Sequence, residues 1–134
     1  MTIQTFKEQL ASSICVTLPE TISESESLSD FMQISKFSHV FGSNIKALSN
    51  EEISSVFEII ENAIVHGEED TKNAATTVFL ENLQNSSLRG VFSFKCILPL
   101  LGKESKCFCK AVDKFYGNET PGLWDDKCNN RPIA

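Results

Sequence analysis

The sequence lacks the short motifs that mark most enzymes. It has no glycine-rich phosphate-binding loop, no G-x-S-x-G segment and only two histidines, His39 and His66. No apolar run approaches the roughly 18 residues that cross a bilayer. The N-terminus shows no basic region followed by an apolar stretch, as a secretory signal would. We therefore expect a cytoplasmic protein that is not an enzyme and does not bind membranes.

Basic residues are scarce in the first half of the chain. Residues 1–70 contain twelve acidic and three basic residues, so their net charge is −9, whereas residues 71–134 carry a net charge of +3. Such a split creates a directional field and favours a basic partner at one end of the molecule. Direct binding to nucleic acid is disfavoured, because phosphates are bound by lysine and arginine.

Tryptophan and tyrosine occur once each, whereas phenylalanine occurs ten times. Because phenylalanine is purely apolar, most of these side chains should be core anchors. A chain of 134 residues that is 41% hydrophobic and 22% charged predicts one globular domain, residues 1–134. The five cysteines are an odd number, and free thiols are the expectation in the cytoplasm.

Apolar residues recur at spacings of three and four, which predicts amphipathic helices. These helices fall at 3–14, 28–41, 50–66, about 71–85 and 104–116. Gly42 should end the second helix. Ser49 and Glu52 form a capping box before the third, and Asp70 should cap the fourth. Between the first two helices, residues 19–27 read as a loop.

The C-terminal third is less regular. Residues 88–101 fit a helix with a kink or break near Pro99, and a short strand at 91–97 is the alternative. The last helix should stop at Gly117, and 118–134 should form an irregular tail anchored by Leu123 and Trp124. The inward face of this last helix is predicted to consist of Cys107, Phe108, Ala111, Val112 and Phe115. The fold predicted from these elements is all-α, an irregular bundle of about five to seven helices arranged as antiparallel hairpins.

Candidate chemistry is sparse. Cys107 and Cys109 are two residues apart on a predicted helix, so their side chains point about 200° apart and cannot share a metal. No local motif pairs a cysteine with either histidine. We expect no metal site, no cofactor and no catalytic residues.

Acidic residues are the candidates for partner binding. On the third helix, the predicted polar face carries Glu51, Glu58 and Glu61. The hairpin turn after this helix carries Glu68, Glu69 and Asp70, and the stretch between the first two helices carries Glu24 and Glu26. A solvated surface is the commonest use of such residues, and partner binding is the competing interpretation. An acid pair for hydrolysis or a carboxylate metal site on the third helix is a further alternative, but this face has no companion E-x-x-H motif.

Three segments carry a resemblance. They are residues 52–61 with 65–70, residues 74–85, and residues 101–106 before an aromatic-ended helix. Over about residues 50–116 the chain resembles small α-helical immunity proteins of bacterial toxin–immunity systems, including those of contact-dependent growth inhibition. Where that family usually has proline after Leu-Gly, this chain has Lys103. Residues 1–48 and the tail carry no recognisable motif.

The resemblance implies a cytoplasmic bacterial protein that binds one cognate toxin domain, 1:1, and blocks it without catalysis. Such toxins are often nucleases with basic clefts, and an acidic surface could occupy the groove that holds phosphates. A helical adaptor or scaffold that binds a non-toxin protein is the alternative. An enzyme with an unrecognised site is a third, weaker possibility.

Overall fold

The computed structural model describes residues 1–13 and 29–125 of the chain. No β-strand occurs among them, and the helices form an irregular bundle of antiparallel hairpins, so the predicted all-α class is confirmed. No helix in this part of the chain is long and apolar enough to cross a bilayer. The described α-helices are α1 (Ile3–Ser12), α2 (Asp30–Asn44), α3 (Asn50–His66), α4 (Glu69–Asn73), α5 (Glu81–Leu88) and α6 (Lys103–Tyr116). A π-helical segment spans Ala74–Leu80, and 3-10 turns span Ile45–Ala47, Phe94–Cys96 and Leu98–Leu100.

Phenylalanine side chains form the centre of the core. Phe37, Phe41, Phe57 and Phe79 are almost completely buried, and their ring centroids lie 5.8 to 6.3 Å apart. Aromatic pairs at such distances stabilise a fold by about 0.5–1.5 kcal/mol each beyond the burial of their area. The four rings come from α2, α3 and the π-helical segment, so they join the three central elements.

Helix α1 packs on the core through Phe6 and Leu10, which are both fully buried. Ile14, the last apolar residue of the predicted first helix, lies outside the described residues. A Lys7–Asp30 ion pair of 2.6 Å connects α1 to the first residue of α2. Because Asp30 is 45% exposed, this pair contributes little to stability.

Helix α2 does not end at Gly42, as the sequence suggested. It continues through Asn44, and Gly42 is buried inside it without a left-handed conformation. A Cβ atom at Gly42 would lie 3.2 Å from the Leu83 side chain and 3.6 Å from the Phe92 ring. The glycine therefore serves close packing between α2 and α5 and does not terminate the helix.

Helix α3 agrees with its prediction. The Ser49 hydroxyl accepts the Glu52 N–H at 3.1 Å, and the Glu52 carboxylate accepts the Ser49 N–H at 3.1 Å, which completes the predicted capping box. The buried side of the helix consists of Ile53, Val56, Phe57, Ile60 and Ala63.

The prediction that Asp70 caps the next helix was wrong. Helix α4 begins at Glu69, with Glu68 in the N-cap position, and Asp70 lies inside its first turn. The carbonyl of Met1 explains the early start, because it accepts the Glu68 N–H at 3.0 Å and the Thr71 hydroxyl at 3.0 Å. The N-terminal residue thus holds the turn between α3 and α4.

Helices α4 and α5 are joined by the π-helical segment without a break, since the backbone dihedral angles at both junctions are helical. The hydroxyls of Thr76 and Thr77 donate to carbonyls four residues earlier, at 2.7 and 2.8 Å. The buried Ser38 hydroxyl donates to the Phe79 carbonyl at 2.8 Å. This long helical element contacts α2, α3 and α6, so it lies at the centre of the bundle.

Residues 89–101 form neither the predicted kinked helix nor the alternative strand. Gly90 ends α5 with a φ angle of 85°, and the chain continues as an extended piece and two 3-10 turns, the second containing Pro99. The Phe94 N–H donates to the Pro121 carbonyl at 2.8 Å. Burial of Phe94 and Ile97 against the core determines this path, which helical periodicity cannot show.

Helix α6 has the predicted length, and Gly117 ends it in the left-handed conformation with a φ angle of 69°. The predicted inward face was wrong. Ser105, Cys109 and Asp113 are buried, whereas Phe115 is 81% exposed. Of the other predicted inward residues, Phe108 and Val112 are half-buried, and Cys107 and Ala111 are exposed.

Asp113 explains why α6 is turned in this way. Its carboxylate accepts the Thr120 N–H at 2.8 Å, the Thr120 hydroxyl at 2.7 Å, the Trp124 indole N–H at 2.8 Å and the Gln84 amide at 3.2 Å. These bonds, with the fully buried Leu123, fix residues 118–125 on the bundle as turns. Residues 126–134 lie outside the described residues.

Candidate partner-binding surface

Five carboxylates of the α3–α4 hairpin form no hydrogen bond or ion pair through their side chains with the described residues. They are Glu51, Glu58, Glu68, Glu69 and Asp70, all exposed, and together they are called the acidic surface below. The other described acids of the first half have partners within the molecule, namely Glu8, Asp30, Glu52 and Glu61. Among the described acids of the first half, the members of the acidic surface therefore keep their full hydrogen-bonding capacity.

The α3 part of the surface borders a trough. Glu51 and Glu58 are seven residues apart, about two turns or 10 Å along one side of the helix. Glu58 and Asn62 line a depression of about 460 Å³ between α3 and the C-terminal end of α1. The same two residues line a second depression of about 280 Å³ that reaches Val65 and His66. The two depressions, which share Glu58 and Asn62, are together called the trough below.

The remaining three carboxylates lie at the turn after α3. Glu69 and Asp70 occupy the first turn of α4, where negative charge is favoured by the helix dipole. The Met1 ammonium donates to the His66 carbonyl at 3.2 Å, so one positive charge lies beside the turn. The acidic surface is thus negative along α3 and at the start of α4, with the Met1 ammonium beside the turn and the exposed Lys72 further along α4.

Glu61 does not share the exposure predicted for it. Its carboxylate accepts the Glu104 N–H at 2.7 Å, the Ser105 N–H at 3.0 Å and the Ser105 hydroxyl at 2.9 Å. It therefore caps the N-terminus of α6, which has no side-chain cap of its own. Gly102 permits this approach, because a Cβ atom there would collide with the Glu61 carboxylate.

Glu24 and Glu26, the other two predicted binding residues, lie outside the described residues, as does the predicted loop at 19–27. Their contribution to a partner surface stays a prediction.

A family model for a domain of unknown function, DUF7674, matches residues 9–117. This range covers α2 to α6 completely and ends at the left-handed Gly117. The chain belongs to the DUF7674 family. No curated protein and no solved structure matches it. The family description assigns no function, so the role of this DUF7674 protein is argued from its own residues.

The cysteines of the DUF7674 domain offer little reactivity in its interior. Burial, with the Asp113 and Glu81 carboxylates nearby, raises the pKa of the Cys109 thiol far above its ordinary value. A protonated thiol is neither a good nucleophile nor a metal ligand. Cys107 is exposed on a different side of α6. Within residues 1–13 and 29–125, no group of three or more His, Cys, Asp or Glu side chains is arranged to hold a metal.

An exposed aromatic pair was missed by the sequence analysis. Phe115 and Tyr116, at the end of α6 in the DUF7674 domain, are 81% and 59% exposed, and their rings meet edge to face at 4.9 Å. Hydrophobic periodicity assigned Phe115 to the core, because it could not show that Asp113 is the buried residue of that turn. The nearby left-handed Gly117 was a weak signal that the chain leaves the bundle surface here.

Proposed function

We propose that this DUF7674 protein is an immunity protein that binds and neutralises a cognate bacterial toxin. Its partner is a basic nuclease domain, bound 1:1 in the cytoplasm. The acidic surface carries the proposal, because its five exposed carboxylates lie along one hairpin and none has a side-chain partner among the described residues. The protein acts by occupying the toxin's substrate groove and performs no catalysis.

The physical basis is competition with phosphate. A nuclease cleft binds the nucleic-acid backbone through lysine and arginine side chains, and those side chains also bind carboxylates. Glu58 lines the trough on α3, and Glu51 lies two turns earlier on the same helix, so both offer negative charge to such side chains. Opposite potentials accelerate encounter between the two proteins, so inhibition can precede damage. The same carboxylates repel phosphates, which argues against direct binding of nucleic acid by this chain.

The three segments that resemble immunity proteins lie in contacting elements. The first forms α3 and the turn after it, the second forms the π-helical segment and α5, and the third leads into α6. Glu61 of the first segment caps the helix that the third one begins. These contacts support the proposal, since the resembling pattern belongs to one packed unit.

The experiment is a pull-down with the protein encoded immediately upstream of this gene, followed by a nuclease assay with and without this chain. We expect tight 1:1 binding and loss of nuclease activity at equimolar amounts. Absence of binding, or binding that leaves the nuclease active, would reject the immunity function.

The exposed aromatic pair favours a second candidate, an adaptor that binds a non-toxin protein. Exposed aromatic residues are typical binding anchors. The aromatic pair lies apart from the contact between α6 and α3. Ser105, which Glu61 of α3 contacts, lies ten residues before Phe115, so this contact and the aromatic pair are separated by about 15 Å along α6. The double variant Phe115→Ser, Tyr116→Ser separates the candidates. An adaptor would lose its partner, whereas an immunity protein that acts through α3 would still inhibit.

A further inference from the structure

A second pocket lies away from the acidic surface. It has a volume of about 510 Å³ and is bounded by the end of α5, the extended piece after it and the segment following α6. Two lysines, Lys46 and Lys95, line it together with the apolar groups of Phe92 and Pro121. Among residues 1–13 and 29–125, no acidic residue lines it. In a chain with a net charge of −6, a cavity with only cationic charge is unexpected.

The two lysines are available to a ligand. Both are exposed, and neither forms an ion pair with any residue of the described ranges. No ion pair within this part of the chain therefore neutralises the charge of either lysine. Each ammonium has three donors.

The wall that carries Lys95 is fixed by the backbone. The Ser93 hydroxyl accepts the Lys95 N–H at 3.2 Å and donates to the Pro121 carbonyl at 3.3 Å. Gly122, with a φ angle of 83°, lies so close to the Lys95 backbone that a side chain would not fit. The pocket is therefore largely formed before any ligand arrives.

A buried hydroxyl beside the pocket has no hydrogen-bond partner among the described residues. Ser87 lines the cavity and is 1% exposed, and its Oγ atom makes no hydrogen bond with the described residues. Burying a hydroxyl without a partner is unfavourable, so such groups in native proteins usually serve a ligand or a water molecule. This observation is independent of the lysines and points to the same cavity.

We propose that this pocket binds a small organic anion, a carboxylate attached to a compact apolar body. Lys46 and Lys95 neutralise the carboxylate, the Ser87 hydroxyl donates a hydrogen bond to it, and Phe92 and Pro121 contact the apolar body. The site is separate from the acidic surface, so it does not depend on the proposed function.

Benzoate is the test ligand, with benzyl alcohol and inorganic phosphate as comparison ligands in the same NMR titration of the full chain. Benzoate should give saturable shifts for Ser87, Phe92 and Lys95, whereas benzyl alcohol should bind at least about tenfold more weakly because it carries no charge. Equal binding of benzyl alcohol would reject charge recognition. Binding of phosphate as tight as that of benzoate would reject the apolar part of the proposal, and no saturable shifts with benzoate would reject the site.

Variants identify the contributing groups. Lys46→Ala and Lys95→Ala should each weaken benzoate binding by about tenfold, and Lys72→Ala, an exposed lysine on α4, should not. Ser87→Ala should weaken benzoate binding while leaving the free protein at least as thermally stable, because it removes an unpaired buried hydroxyl. A free protein made less stable by Ser87→Ala would contradict the assignment, since it would mean that the hydroxyl already has a partner.

The exposed Cys96 thiol provides a second readout. It lines the pocket and donates to the Ser93 carbonyl at 3.0 Å. Benzoate should slow its alkylation, and the exposed Cys107 on α6 is the internal control in the same peptide map. Equal rates at Cys96 with and without saturating benzoate would place the ligand elsewhere.

Discussion

The path of the described chain after α6 depends on the carboxylate of Asp113. It is 1% exposed and accepts four hydrogen bonds, two of them from groups of Thr120. A buried carboxylate is tolerated only when its oxygen atoms are fully hydrogen-bonded. Here the donors come mainly from the segment after α6. This segment therefore stabilises the buried charge of Asp113, and the charge in turn fixes the path of the segment.

Replacement of this carboxylate should loosen the segment and the bundle together. Asp113→Asn places an amide group against donors, and we expect the free energy of unfolding to fall by about 3 kcal/mol. Urea unfolding followed by circular dichroism measures the loss. The single tryptophan, Trp124, should show a red-shifted emission in the folded variant, because the loosened segment exposes its indole ring to water.

Asp125→Asn is the matched control, because Asp125 is exposed and its carboxylate has no partner among the described residues. Its unfolding midpoint should equal that of the unmodified protein. An Asp113→Asn variant that unfolds at that same midpoint would contradict the assigned role.

The raised pKa of the Cys109 thiol predicts that the stability of the folded state depends on pH. Burial is the main cause that raises its pKa in the folded state, and the Asp113 and Glu81 carboxylates add to it. The unfolded thiol ionises near its ordinary pKa of 9.0. The folded state therefore holds its proton more tightly, so the stabilisation is complete below pH 9 and is lost as the pH rises above it.

Cys109→Ala removes this titration. The variant is expected to be less stable at neutral pH because of the cavity, yet its stability should decline less steeply between pH 9 and pH 10.5. Urea unfolding across this range measures both slopes. Parallel curves for the two proteins would show that Cys109 does not titrate on unfolding.

Which residues could be predicted depends on how far apart in sequence their partners lie. The Ser49–Glu52 capping box is local, and the sequence predicted it. Glu61 caps a helix that begins more than 40 residues later, so no local pattern could reveal its partner. The acidic candidates were found by charge alone, and only the structure separates Glu61 from the free carboxylates.

Among the elements, the contact between α3 and α6 rests on that long-range cap. Glu61→Ala leaves the first N–H groups of α6 without an acceptor, and we expect a loss of about 1–2 kcal/mol in the free energy of unfolding. Glu58→Ala, three residues earlier and without a partner, is the control that should leave the unfolding midpoint unchanged. Equal midpoints for the two variants in urea would refute the cap.

A double-mutant cycle tests the same contact independently. Gly102→Ala should displace the Glu61 carboxylate, because the new methyl group would occupy its position. Its cost should therefore be largely absent when Glu61 is already alanine. Additive costs would mean that the two residues act separately.

Elements differed in how well the sequence predicted them. Helix α3 was predicted closely, because its apolar residues keep a helical period over its whole length and its cap is local. Residues 89–101 were not, because Gly90 and burial of Phe94 and Ile97 override a weak helical pattern. The face of α6 was misassigned since its buried side contains Ser105 and Asp113, which are polar.

Over the whole molecule, charged residues differ in whether they form contacts within the fold, as well as in their position along the sequence. Several acids of the first half serve the fold, which leaves the five carboxylates of the acidic surface free on the α3–α4 hairpin. The pocket lined by Lys46 and Lys95 has no acidic residue of the described part of the chain in its lining. The whole-chain net charge of −6 therefore conceals two sites of opposite sign.

The most direct measurement is the association rate constant with the protein encoded upstream, recorded by stopped flow at several salt concentrations. The double variants Glu51→Lys, Glu58→Lys and Glu68→Lys, Glu69→Lys should each associate about tenfold more slowly at low salt, with a weaker salt dependence. The control Glu119→Lys, Asp125→Lys changes the net charge equally on exposed residues after α6, and we expect a much smaller effect. Equal slowing by the control and by both surface variants, or no slowing at all, would contradict the acidic surface as the toxin-binding site.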